Sequence, residues 1–315
     1  IRQTSGITSV AASAVCGGRA ENGTVSSNTV TISGGTIGGA VYGGTAKSGT
    51  VSSNTVTISG GTISGSIYGG AVSSGTATGN TVNFYGGSIS QTLYGGVSET
   101  ANDDVTTGNT LNIGSTGSRV AGLSADNIAN FQNLNFYLPS SIADGASVLT
   151  LQAIAGTTLG SEDADVSINA YLDGNTNLAV GSEIKLINKN SSSPLVVYTG
   201  GTAQDTGTLG TAKVWHGVTT TTSAAVSIGG DGGNDLMLTA VAAITPTSGG
   251  TLPEQTKSIV ETRADGAAFL NGGADMLAGQ GIAAAVDAAL APGNSGSPSA
   301  NTADTGGSSQ GSGDG

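Results

Sequence analysis

The chain has 315 residues and a formal net charge of −12, with nine Lys and Arg residues and a single His. Charged residues make up only 10% and aromatics 4%, where an ordinary compact domain carries about 25% charged residues. So few cations exclude a phosphate-neutralising patch and argue against nucleic acid and anionic lipid as partners, while 37% apolar residues exclude a chain too polar to build a core.

Cys16 is the only cysteine, so neither an internal disulfide nor a cysteine-based zinc cluster can form. No apolar run approaches the roughly 18 residues of a bilayer-spanning helix. The opening at Ile1, with neither Met nor signal peptide, reads as a piece cut from a longer open reading frame.

In chain order, the first element is a repeat. Residues 23–35 return unchanged at 49–61, a period of 26, which falls in the range of solenoids and arrays. A third copy holds Asn80-Thr81-Val82-Asn83-Phe84, and a degenerate fourth holds Asn109-Thr110-Leu111-Asn112-Ile113 after the spacing slips to 29. The other half of the unit is Val41-Tyr42-Gly43-Gly44, then Ile67-Tyr68-Gly69-Gly70 and Leu93-Tyr94-Gly95-Gly96. Cys16 falls one period before Tyr42 and fills the Tyr slot; no His or cationic neighbour is evident to activate its thiol.

The unit reads as strand, turn, strand, turn. Val30 and Ile32 alternate with Thr29 and Thr31, the period of a half-buried strand, and the Gly-Gly pairs are expected to supply positive-φ corners. One unit cannot bury enough apolar surface to offset its own ordering. Identical units stacked in register, ~4.8 Å apart, can do so. The expectation is a parallel β-solenoid over 1–138, with ladders of Asn28, Asn54 and Asn80 and of the three Tyr; the Tyr strip is also a conceivable glycan contact.

From about Phe131 the repeat gives way to longer β segments, expected at 147–153, 166–172, 183–187, 195–198, 212–215, 224–228 and 236–241. A solenoid needs an atypical end, and 139–250 is positioned to supply that β-rich cap. Thr251-Leu252-Pro253-Glu254 then combines a capping box with Pro in the first turn, and helical spacing predicts an α-helical linker over 251–291. Residues 292–315 are Gly, Ser, Asn, Pro and Asp, predicted to be a disordered tail.

Thr256-Lys257-Ser258-Ile259-Val260-Glu261-Thr262-Arg263, Ala267-Ala268-Phe269-Leu270-Asn271-Gly272-Gly273-Ala274-Asp275 and Leu277-Ala278-Gly279-Gln280-Gly281 resemble the junction before the translocator barrel of type V autotransporters. The Asn-Thr-Val-Thr-Ile-Ser-Gly-Gly and Val-Tyr-Gly-Gly repeats look like passengers of that family. Gly181-Ser182-Glu183-Ile184-Lys185-Leu186-Ile187 is similar to its β-rich stem. The resemblance implies a right-handed β-helix displayed at the surface of a Gram-negative cell and an autochaperone-like stem. It also implies a helix leading into an outer-membrane barrel, the chain's own C-terminal partner, which would be its only link to the membrane. An adhesin-like role with host-surface or glycan ligands follows from the same resemblance.

Other motifs in the chain carry weaker signals. His216 is the sole histidine and cannot make a histidine-based metal site alone. Gly293-Asn294-Ser295-Gly296-Ser297-Pro298 echoes a protease nucleophile loop but sits in low-complexity sequence. The stretch from Gly229 to Leu236 resembles one calcium-binding β-roll turn, yet as a single copy it reads as a hairpin. Acids within the repeats are sparse: Glu21, Glu99, Asp103 and Asp104, the last two beside the slip. A Thr-x-Thr array of the ice-binding kind breaks at Asn83. No catalytic, cofactor-binding or metal-ligating residue is assigned, and no cofactor is expected. Two alternatives stay open: a polysaccharide-active β-helix enzyme with its catalytic rungs upstream, and a passive spacer.

Overall fold

Alternating Thr with Val or Ile gives each strand a dry side and a wet side, and stacking identical strands extends both sides along one axis. Thr29–Ile37, Thr55–Ile63, Thr81–Ile89, Thr110–Ile113, Asn133–Leu138 and Ser167–Leu172 pair in that order, all parallel. Val30, Val56, Val82, Leu111 and Leu134 align in one column and are fully buried. Ile32, Ile58, Phe84, Ile113 and Phe136 form the next inward column. A second face stacks Val15–Cys16, Val41–Ser52, Ile67–Thr78, Leu93–Ser98 and Ile128–Ala129 in the same parallel sense.

The structure is a computed structural model and describes residues 4–7, 14–189, 193–216, 220–230, 234–242 and 244. They are all-β, without a helix among them, and form a parallel β-solenoid of about five turns. They belong to one unit spanning residues 1–248. The linker expected over 251–291 and the tail expected over 292–315 lie outside the described residues.

Where the chain turns from the second face to the first, an Asn is buried in each of four successive rungs. Asn54 Oδ1 accepts from the Asn28 N–H at 3.1 Å and from Asn28 Nδ2 at 2.8 Å. Asn80 Oδ1 takes the same two bonds from Asn54, and Asn109 Oδ1 takes them from Asn80 across the slipped spacing. At the lower end Asn109 Nδ2 donates to the carbonyls of Ala77, Val105 and Asn130. The residue before each Asn is left-handed: Ser27 at φ 58, Ser53 at 55, Gly79 at 63 and Gly108 at 70.

This ladder explains the Tyr-Gly-Gly motif, and corrects the expectation that all Gly-Gly pairs are positive-φ corners. Gly35, Gly61 and Gly87 do have φ of 82, 91 and 93. The glycines after each Tyr do not; they lie inside strands and are required for space. A Cβ on Gly44 would meet Asn54 Nδ2 and Val25 Cγ1, each at 2.8 Å, and one on Gly43 would meet the Gly69 carbonyl oxygen.

Parallel stacking continues past 138. Ser147–Leu151 pairs with Glu183–Lys189, and Thr157–Leu159 with Leu195–Thr199. The turns thus lose their sequence likeness there but keep their stacking. At the far end Gly207–His216 adds to Ser167–Leu172 in parallel, then runs antiparallel to Thr220–Gly229. Asp235–Ala240 pairs antiparallel with both Thr220–Gly229 and Glu183–Lys189. These strands join two faces of the coil into one continuous sheet, so the edges of both are paired instead of exposed. The buried Asp235 carboxylate fastens the join, accepting from the Lys189 N–H at 2.8 Å and pairing with Lys185 Nζ at 2.9 Å.

Two substitutions test this corner. Ser53→Gly relieves a left-handed Ser, as Gly79 and Gly108 already do, and is expected to stabilise by about 0.5–1 kcal/mol. Gly44→Ala drives a methyl into the ladder and is expected to destabilise by about 1–3 kcal/mol. Urea unfolding of both variants checks the opposite signs.

Candidate functional site

The side chains with recognition chemistry gather outside the main core, where the second face bends into an arm. Gly23, Gly49 and Gly75 hold φ of 100, 119 and 123 in the middle of their strands. The two legs around each carry Val25, Ala46, Val51, Val72 and Ala77 into a small second cluster. Tyr42, Tyr68 and Tyr94 stand half-buried at the base of this arm, in register with Cys16 above and Ala129 below. Their rings stack at 4.9 and 5.1 Å between centroids, tilted by 8° and 6°.

Between this column and the arm lies a groove of about 470 Å³, within the size range of small-ligand sites. Its wall is Tyr42 and Tyr68, and its floor Ala46, Ala71 and Val72. One register column lines it from Arg19 through Thr45 and Ala71 to Val97, and this column is polar in its upper rungs and apolar in its lower ones, where Ser73, Ser98 and Glu99 supply the polar groups. Arg19 and Glu99 are exposed at opposite ends. The Cys16 thiol donates to the Gly18 carbonyl at 3.1 Å, and burial pushes its pKa up. Burial, and then the neighbouring Tyr68 and Cys16, raise the Tyr42 phenol above its usual value.

The slip that lengthens the fourth copy is built from acids that serve the backbone. Asp103 Oδ2 accepts from the Ser98 hydroxyl at 2.6 Å and the Gly75 N–H at 2.7 Å, which lower its pKa in that order. Asp104 Oδ1 accepts from the Thr106 and Thr107 N–H groups at 3.1 and 3.0 Å. Burial raises its pKa, but these bonds and the Thr107 hydroxyl outweigh it. Glu99 ends at the groove rim and Glu21 is exposed on the arm. His216 closes its strand in backbone register with Leu172 and Thr220. The strands that meet in the Gly229–Leu236 stretch pair antiparallel, with Gly229 opposite Asp235 and Ile228 opposite Leu236. Among the described residues, no group of three or more His, Cys, Asp or Glu could hold a metal.

Two features on the first face lie beyond the sequence reading. The column of Thr31 and Thr57 becomes Asn83, Asn112, Asn135 and Asn169, and each of these amides donates to the residue above it at 2.7–3.1 Å. Tyr137 stacks on Tyr171 at 4.5 Å, and Arg119 donates to the Tyr171 carbonyl at 2.6 Å while facing Asp173 at 3.4 Å. The spacing of 26 marks the groove column from Arg19 to Val97 and the recurring Gly23, Gly49 and Gly75, but not that these glycines bend their strands into an arm. Compared with known proteins, the chain matches no family model, no curated protein and no solved structure.

The raised Tyr42 phenol fixes a sign. A folded pKa above the unfolded one means that stability is complete below the usual phenol value of 10.0 and falls as pH rises through the folded value. Absorbance titration of tyrosinate is expected to show Tyr42 ionising after free tyrosine, with urea stability declining over that same alkaline window. The Tyr42→Phe variant should lose its share of that decline.

Proposed function

We propose that the chain is the C-terminal part of a surface-displayed type V passenger, a non-enzymatic, adhesin-like β-helical stalk. The observation that carries this reading is the pairing of a repetitive parallel solenoid with a distinct β-rich end, followed in sequence by the 251–291 segment that resembles a barrel junction. A stack of this kind gains length at ~4.8 Å per turn without a larger core, which suits a device that holds a binding surface away from a membrane. Low charge and abundant hydroxyl and amide columns suit a surface exposed to the medium.

In this reading the coil is right-handed, 139–250 is an autochaperone-like stem, and the helix over 251–291 enters an outer-membrane barrel. Host-surface or glycan ligands would meet the outer faces of the coil. The join made by Gly207–His216, Thr220–Gly229 and Asp235–Ala240 supports the stem assignment, because an antiparallel hairpin can form locally and then template parallel rungs.

Sequencing the reading frame beyond Gly315 tests the proposal. Alternating segments of about ten residues with aromatic girdles at their ends are expected. A stop codon, or a soluble domain, would contradict it.

A further inference from the structure

The stacked tyrosines use most of their ring faces on one another. Tyr68 is covered on both sides, and Tyr42 and Tyr94 on the sides that face it. The outer face of Tyr42 looks into the rung of Cys16, where a side chain much smaller than a ring fills the tyrosine slot. That rung lies in the upper end of the 470 Å³ groove, beside Arg19 and Thr45.

We propose that this groove binds a neutral glycan, with one pyranose ring laid on the open face of Tyr42 in the space that Cys16 leaves. A pyranose presents a face of C–H groups and a rim of hydroxyls. An aromatic face with a polar rim complements that shape, since tyrosine offers an apolar body and a polar tip. Arg19 and Thr45 border the slot with donors and acceptors, Ser73 follows two rungs below, and the alanine floor leaves room for the next sugar. Charge selects the class of ligand. The groove carries one cation and one anion at opposite ends, on a chain of net charge −12 that repels polyanions. The groove follows the stacking axis, so the glycan extends along the coil. This inference rests on the adhesin-like reading and names its ligand class.

The test is affinity electrophoresis of the full chain in native gels cast with hydroxyethyl cellulose, glucomannan or dextran. The wild type is expected to be retarded in at least one gel. Cys16→Tyr completes the column and closes the slot without disturbing the ladder, and should weaken retention roughly tenfold or more, whereas Cys16→Ser should keep it. A second readout does not depend on that variant folding: the retaining polysaccharide should slow alkylation of Cys16 by iodoacetamide in the wild type. A wild type that runs unretarded in all three gels overturns the proposal. So does a folded Cys16→Tyr retained as strongly as the wild type, or an alkylation rate that the polysaccharide leaves unchanged. Retention without a downstream barrel would sink surface display alone, and a barrel without retention would sink the glycan proposal alone.

Discussion

Everything in this molecule depends on rungs of the coil sitting in register, and the buried Asn ladder enforces that register. A parallel strand can slip against its neighbour, and where both strands read Thr-Val-Thr-Ile a slip by two residues would keep the hydrophobic side inward. The ladder removes that freedom. Asn28, Asn54, Asn80 and Asn109 are at most 1% exposed, and a buried amide without a partner costs about 1–3 kcal/mol. Only one alignment satisfies three amides at once. The left-handed residue before each Asn and the Cβ-free Gly after each Tyr serve the same corner, which is why Ser-Ser-Asn and Tyr-Gly-Gly recur together.

Register at the corner then organises the exterior. With each rung pinned, like side chains fall above like: Tyr on Tyr, Thr on Thr, Asn on Asn. The tyrosine column is a by-product of this rule, and the column of Asn83, Asn112, Asn135 and Asn169 carries the register on into the rungs where Gln132 and Val166 stand in place of the buried Asn. Where a rung departs from the rule, the surface changes shape. Cys16 in place of Tyr opens a slot, and the lengthened fourth copy projects the loop that Asp103 and Asp104 tie down. Changes of surface shape therefore arise at irregularities in an otherwise uniform coil.

Much of this was legible in the sequence because a repeat converts spacing into contact. The period of 26 identified the stacking partners of Val30, Tyr42 and Asn54, and placed Cys16 opposite Tyr42. Composition could not reveal that the two kinds of Gly-Gly pair do different work, because positive φ and close approach both demand glycine and look identical in sequence. The arm was equally hidden: the bend at Gly49 turns the legs that carry Ala46 and Val51 toward each other, and a glycine in a strand does not by itself announce a bend. The paired end was visible only as β segments, since the pairing of Asp235–Ala240 with Glu183–Lys189 is long-range and leaves no local pattern.

The most direct test of the register claim is to delete one complete turn. Removing residues 49–74 joins Ser48 to Gly75, the residue stacked on Gly49, so every ladder is preserved with one rung fewer. A folded protein with the same β-sheet circular dichroism and cooperative unfolding is expected, whereas the same deletion extended by Thr81 or by Val82, inside the strand next to the ladder, should break its inward alternation and fail to fold cooperatively. Equal tolerance of all three deletions would contradict the register claim.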